Sequence, residues 1–149
     1  MPLYFAYGAN MDRAAMAERC PRSTPLGPAA LRRHRLAVMR EGWLTVARDP
    51  QMRVHGVLWD LALADVPALD RFEGIADGVY VKAIQPVLAK DGAKRALVYL
   101  GANAGPGRPR ADYLRDVLAA ARSWELPPDA IEALQRLASA VPSPLAGEG

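Results

Sequence analysis

Cysteine is almost missing from this sequence: Cys20 stands alone among 149 residues. A single thiol excludes an internal disulfide and fits a reducing compartment. No apolar run approaches the roughly 20 residues that a membrane-crossing helix needs. The start, MPLYFAYGANM, has no basic n-region and no A-x-A cleavage site. A cytoplasmic protein with no membrane partner is therefore expected. Histidine is limited to His34 and His55. Neither stands at ligand spacing from the other or from Cys20, and no H-E-x-x-H or C-x-x-C occurs, so no metal is expected. Cys20 sits beside Pro21 at a helix end and reads as a buried, inert thiol. Serine is scarce and G-x-S-x-G is absent. There is no G-x-G-x-x-G and no Walker motif, and Gly105-Pro106-Gly107 lies in a proline-containing loop. Lysine is also scarce. The net charge of +3 and the pI near 9.3 rest mainly on arginine in an alanine- and proline-rich chain. That is compositional bias more than a phosphate-binding pattern. The one basic cluster, Arg32-Arg33-His34-Arg35, reads as a solvated loop entering a strand, so no nucleic-acid partner is expected.

What is present suits a single domain over residues 1–142, with 143–149 as a disordered tail. Leu3 to Tyr7 is a short buried strand. Asn10 or Asp12 can cap the helix from Asp12 to Cys20, which Pro21 ends. Ser23 to Arg33, rich in proline and glycine, reads as a loop. His34 to Met39 and Trp43 to Ala47 are strands around an Arg40-Glu41-Gly42 turn. Arg53 to Asp60 alternates with both faces largely apolar, the mark of a central strand. The period then changes. Asp65 can cap a helix with Pro67 in its first turn, Val66, Leu69 and Phe72 on one face, and Gly74 at its end. Val79–Val87 and Lys94–Leu100 are strands joined at Lys90-Asp91-Gly92. Residues 101–110 form a loop. Asp112 to Trp124 is an amphipathic helix with Tyr113, Val117, Leu118 and Ala121 on one face. Pro127-Pro128-Asp129 opens a last helix with Ile131, Leu134 and Leu137. The order predicts an α+β fold: a mixed, mainly antiparallel sheet of six strands, curled into a small barrel with flanking helices.

Two stretches suggest chemistry. In YFAYGANM a strand turns through Gly8-Ala9-Asn10 into a helix. Free backbone N–H groups at such a turn bind carboxylates or oxyanions, and Gly8 removes the side chain that would block a ligand. The plain alternative is a capped turn. In Leu69-Asp70-Arg71-Phe72-Glu73-Gly74, Glu73 falls at a helix C-terminus. The dipole there disfavours the carboxylate, and an apolar pocket would disfavour it further. The plain alternative is an exposed glutamate beside a capping glycine.

Taken together, YFAYGANM, Arg19-Cys20-Pro21, Val54 to Trp59, LDRFEG with Gly78-x-Tyr80, Val98-Tyr99, Asp112-Tyr113-Leu114 and a Leu-Pro near 126 occur in an order that resembles the gamma-glutamylcyclotransferase family. The resemblance spans roughly residues 3 to 135. Two positions depart from the family pattern: Ala9 stands where serine is usual, and Lys82 where arginine is common. The resemblance implies an acyltransferase-type cyclisation with lyase-type release of 5-oxoproline. The α-amine of a γ-glutamyl group attacks its own γ-carbonyl, and an amine leaves. It implies no metal or organic cofactor and a small γ-glutamyl substrate. It makes Glu73 the general acid/base, with Tyr7, Gly8, Ala9, Asn10, Tyr80, Tyr99 and Tyr113 as substrate-binding candidates. The loop N–H groups could meet the glutamyl carboxylate or the developing oxyanion. The leaving group could be an amino acid, a cysteinyl peptide, a polyamine or a lysine side chain. Trp43, residues 101–110 and those after Gly74 are expected at the rim. A non-catalytic binding module on the same fold is the alternative, with Ala9 as its hint. Oligomeric state is not legible.

Overall fold

Alternating apolar residues and well-placed glycines build strands here, and the strands close on themselves. The computed structural model describes residues 2–139; the stretch expected to form a tail lies outside the described residues. The elements are β1 (Leu3–Ala6), α1 (Arg13–Arg19), β2 (Thr24–Val38), β3 (Leu44–Asp60), α2 (Val66–Phe72), β4 (Tyr80–Ala89), β5 (Gly92–Gly101), α3 (Ala111–Ser123) and α4 (Pro128–Ser139). The strands form a closed barrel in the order β1-β3-β2-β4-β5. All neighbours are antiparallel except β1 and β5, which meet in parallel at Tyr4 and Leu97. The expected α+β barrel with flanking helices is what forms.

Two expected features are corrected. Residues 23–33 are not a loop: Thr24 onward belongs to β2. Pro25 and Pro28 are tolerated because β4 pairs with β2 only at Ala29 and Ala30, so neither proline owes a donor on that side. A register break between Pro25 and Gly27 absorbs the local irregularity. The strand candidates at 43–47 and 53–60 are likewise one strand, β3. Pairing skips from Arg32↔Arg53 to His34↔Arg48, so residues 49–52 bulge out opposite Arg33. The sheet therefore has five strands. The basic cluster lies on this bulge, with its arginines exposed and His34 buried.

β3 runs between β1 and β2, the central place its two apolar faces indicated. Phe5, Val57 and Val98 are completely buried on their strands, and Leu69, Leu114, Val117 and Ala121 bury the helices against the sheet. Each large apolar side chain removed from water contributes about 1.5–3 kcal/mol. On α3 it is Leu114 that is buried, while Tyr113 and Leu118 are partly exposed. Phe72, assigned to the packed face of α2, is 44% exposed.

The capping also differs. Asp12 and Asp65 occupy the N-cap positions of α1 and α2 but make no side-chain capping bond. Buried Asp65 instead accepts from Arg22 N–H at 2.9 Å and Ser23 Oγ at 2.8 Å, while Ser23 Oγ accepts from Ala62 N–H at 3.0 Å. This ties the start of β2 to the start of α2. Asp65→Ala strands the Arg22 N–H and the Ser23 hydroxyl, and should cost about 2 kcal/mol. A thermal melt should show a drop of several degrees; an unchanged Tm would mean the tie carries nothing.

Candidate active site

Where β1 ends, the chain turns through Gly8 into a single 3-10 turn, Ala9–Met11. The first bonded amides of this turn are Met11 N–H to Gly8 O and Asp12 N–H to Ala9 O. The N–H groups of Gly8, Ala9 and Asn10 therefore have no partner within the turn, as at any helix start. They border a cavity of about 490 Å³, the size of a small-molecule site.

All eight residues singled out in the sequence line this cavity: Tyr7, Gly8, Ala9, Asn10, Glu73, Tyr80, Tyr99 and Tyr113. They come from five different elements or their ends. β1 supplies the strand whose end carries Tyr7 and the turn. α2 ends on Glu73, its C-cap, whose N–H bonds to Leu69 O; Gly74 follows in the left-handed region at φ 67°. That geometry suits glycine and stops the helix so that Glu73 faces inward. β4 supplies Tyr80, β5 Tyr99 and α3 Tyr113.

The tyrosine hydroxyls are tied to the walls. Tyr7 donates to Tyr99 O at 2.6 Å, and Tyr80 to Leu44 O at 2.7 Å. Tyr99 donates to Asp70 Oδ1 at 2.6 Å, and Asp70 also holds Lys82 Nζ at 2.7 Å. Tyr113 Oη accepts from Leu44 N–H at 3.2 Å, which leaves its own proton available. That hydroxyl lies 3.0 Å from where a side chain on Gly8 would begin, so it stands directly against the turn. Burial pushes the Tyr113 hydroxyl up to about 12 and also raises Tyr4, Tyr7, Tyr80 and Tyr99. All five stay protonated at neutral pH.

Glu73 is the exception among the buried groups. Burial in the aromatic cavity pushes its carboxyl up to about 7. The Arg19 guanidinium and the Tyr4 hydroxyl oppose this, and neighbouring Asp70 adds to it. Desolvation is thus the largest cause, where the sequence had drawn attention to the helix end first.

The structure also brings in residues that the sequence did not mark. Tyr4 crosses Tyr99 edge to face at 5.7 Å and accepts from Asn10 Nδ2 at 3.0 Å. Arg19 Nη1 donates to Asn10 Oδ1 at 2.6 Å, and its guanidinium lies 3.6 Å over the Phe72 ring. Asn10 Nδ2 also stands 3.4 Å from Glu73 Oε1. Asn10 therefore does not cap α1; its side chain is spent inside the cavity. Trp43 and Val79 line the cavity, as expected, and so do Gly74, Asp12, Ala15 and Asp116. Residues 101–110 do not line the cavity. They pack on the β2–β3 turn, where Arg110 N–H bonds to Gly42 O and the Arg110 guanidinium sits 4.3 Å over Trp43. No periodicity could have marked Arg19 or Tyr4, because their partners lie on other elements. Cys20 is buried, and its thiol is pushed up to about 11 mainly by that burial.

The chain is similar to known proteins in sequence and in fold. The sequence pattern of the AIG2-like family matches residues 53–134. The chain is 28% identical over 146 residues to a gamma-glutamylcyclotransferase of Mus musculus, covering 91% of this chain and 78% of that one. It is 26% identical to the Homo sapiens protein with the same coverage. A solved gamma-glutamyl cyclotransferase structure superposes with a TM-score of 0.83 at 26% identity, covering 89% of this chain and 85% of that one.

Proposed function

This chain belongs to the AIG2-like family, and on that footing we propose that it is an enzyme releasing 5-oxoproline from γ-glutamyl amines or peptides. The observation that carries the reading is Glu73: a carboxyl pushed up to about 7, facing a cavity beside unpaired backbone N–H groups.

The chemistry needs one group that first takes a proton and then returns it. The α-ammonium of the substrate passes a proton to the Glu73 carboxylate. The freed amine attacks the γ-carbonyl carbon and forms the five-membered ring. As the bond to the leaving nitrogen breaks, Glu73 hands the proton to that nitrogen. The carboxylate so restored takes the second proton from the ring nitrogen and passes it on, to the departing amine as ammonium or to solvent. The products are 5-oxoproline and a free amine. A group that titrates near the working pH does both jobs well. The reacting groups are already tethered, so the cavity need only hold the folded conformer. Gly8, Ala9 and Asn10 offer N–H groups to the glutamyl carboxylate or to the oxyanion, and the free proton of Tyr113 supports the same anion. Because Tyr7, Tyr80 and Tyr99 donate to the walls, they shape the cavity and can only accept from a ligand. Backbone donors explain how Ala9 can stand in place of serine.

The test is a panel of γ-glutamyl amino acids, peptides and amines, with 5-oxoproline followed by mass spectrometry. At least one should give product in equal amount to the released amine. N-acetylated counterparts, whose attacking nitrogen is blocked, should stay intact. Binding by calorimetry without product across the panel would favour the non-catalytic module.

A further inference from the structure

Arginine has donors and no acceptor. Whatever side-chain amide it meets must present oxygen to it. Arg19 Nη1 lies 2.6 Å from Asn10 Oδ1, so the orientation of this carboxamide is set from one end. The other end, Nδ2, then has two N–H groups for two partners: Tyr4 Oη at 3.0 Å and Glu73 Oε1 at 3.4 Å. Arg19 is itself held, with its guanidinium 3.6 Å over the Phe72 ring. Phe72 immediately precedes Glu73, so one residue clamps the turn after β1 to the end of α2.

Resting on the role given to Glu73 above, we propose that Arg19 is a positioning residue: it locks the Asn10 carboxamide so that an N–H, never the oxygen, faces the Glu73 carboxylate. Without Arg19 the amide is free to rotate. Its oxygen would then face the carboxylate, repel the charged form and loosen the side chain. Arg19 also pulls the Glu73 carboxyl down against the effect of burial. The other charged or titratable groups around Glu73 are Asp70 on α2, Tyr4 on β1, Tyr7 beyond it, Tyr80 on β4, Tyr99 on β5 and Tyr113 on α3, with Asp12 and Asp116 on the same cavity and Lys82 bound to Asp70. The tyrosines are neutral at working pH, and Asp70 pushes the other way. Arg19 is thus the cation that lines the cavity, while Lys82 is spent on Asp70.

Arg19→Met keeps an apolar stem on Phe72 and deletes the donors. The Glu73 side-chain carboxyl, followed by carbon-13 NMR in the free protein, should titrate at higher pH than in the wild type. The acid limb of the kcat profile should move up with it, with activity lost at neutral pH and recovered in alkali while KM changes little. In an Asn10→Ala background, Arg19→Met should shift the titration by clearly less than it does with Asn10 present, because only the direct effect of its charge remains. An unmoved Glu73 titration overturns the proposal. So does an equal shift with and without Asn10, which would mean bare charge at a distance. Should Arg19→Met fail to fold, Arg19→Gln asks the same question with the same Asn10→Ala comparison, since a glutamine amide can offer Asn10 oxygen as well as N–H and no longer fixes its orientation; it too must raise the titration, and by more with Asn10 present. A shifted titration with an unmoved rate profile would leave the positioning intact and count against Glu73 as the proton carrier.

Discussion

Glu73→Gln is expected to abolish 5-oxoproline release while leaving the protein folded. Glutamine keeps the size of the side chain but can neither take the α-ammonium proton nor return it to the leaving nitrogen. General acid–base catalysis contributes roughly 100- to 10,000-fold, and here one group serves both transfers, so the loss should reach the upper end. In the wild type, kcat/KM should rise with pH through about 7 as the Glu73 carboxylate appears. Stability gives a second, independent signature. A carboxyl at about 7 in the fold and near its ordinary 4.5 in the unfolded chain binds more protons when folded. Its contribution is therefore full below about 4.5 and is lost as pH rises through 7. The shift corresponds to about 3 kcal/mol. Glutamine carries no charge to bury, so the variant should gain on the wild type in thermal melts between pH 5 and 8. Parallel melts of the two proteins across that range would show that Glu73 is not desolvated. Full turnover by Glu73→Gln would remove it from the mechanism.

Gly56→Ala should be among the most damaging single changes in the chain, though it adds one carbon. Gly56 lies in β3, and a side chain there would run into the Ala6 carbonyl oxygen and come within 2.8 Å of Phe5 Cζ. The position demands glycine for space and not for an unusual backbone angle. The Phe5 ring takes the place of the missing side chain, and β1 settles onto β3 with Ala6 opposite Val57. An added methyl must displace a backbone carbonyl or a fully buried ring. Overpacking of this kind costs about 3 kcal/mol, with a clear fall in Tm. It also shifts the strand that delivers Tyr7 and Gly8 to the cavity, so surviving protein should be slow. A Tm within a degree of the wild type would mean that β1 sits less tightly than described.

Much of the site was legible before folding because its signals are local. A strand that runs into Gly8-Ala9-Asn10, and a helix that stops at Gly74 just past a glutamate, are patterns within a few residues. The barrel was legible for the same reason: alternation and turn residues mark strands wherever they fall. Pro25 and Pro28 were misleading because proline reads as a breaker when the pairing partner is unknown. On β2 the side they face has no strand to serve, so the chain runs on extended. Phe72 fell at core spacing, yet it remains largely exposed because its partner is the Arg19 guanidinium and not the barrel.

The sequence by itself determined the parts: the turn through Gly8-Ala9-Asn10, the glutamate at a helix end and the tyrosines on their elements. Tertiary structure alone decided their chemistry. Asn10 meets Glu73 across 63 positions of the chain, and Tyr99 meets Asp70 across 29. Periodicity records which face a side chain takes, not what stands opposite it. The raised carboxyl of Glu73 comes from walls supplied by several elements at once. Desolvation is a sum over everything nearby, and no local stretch of sequence contains it.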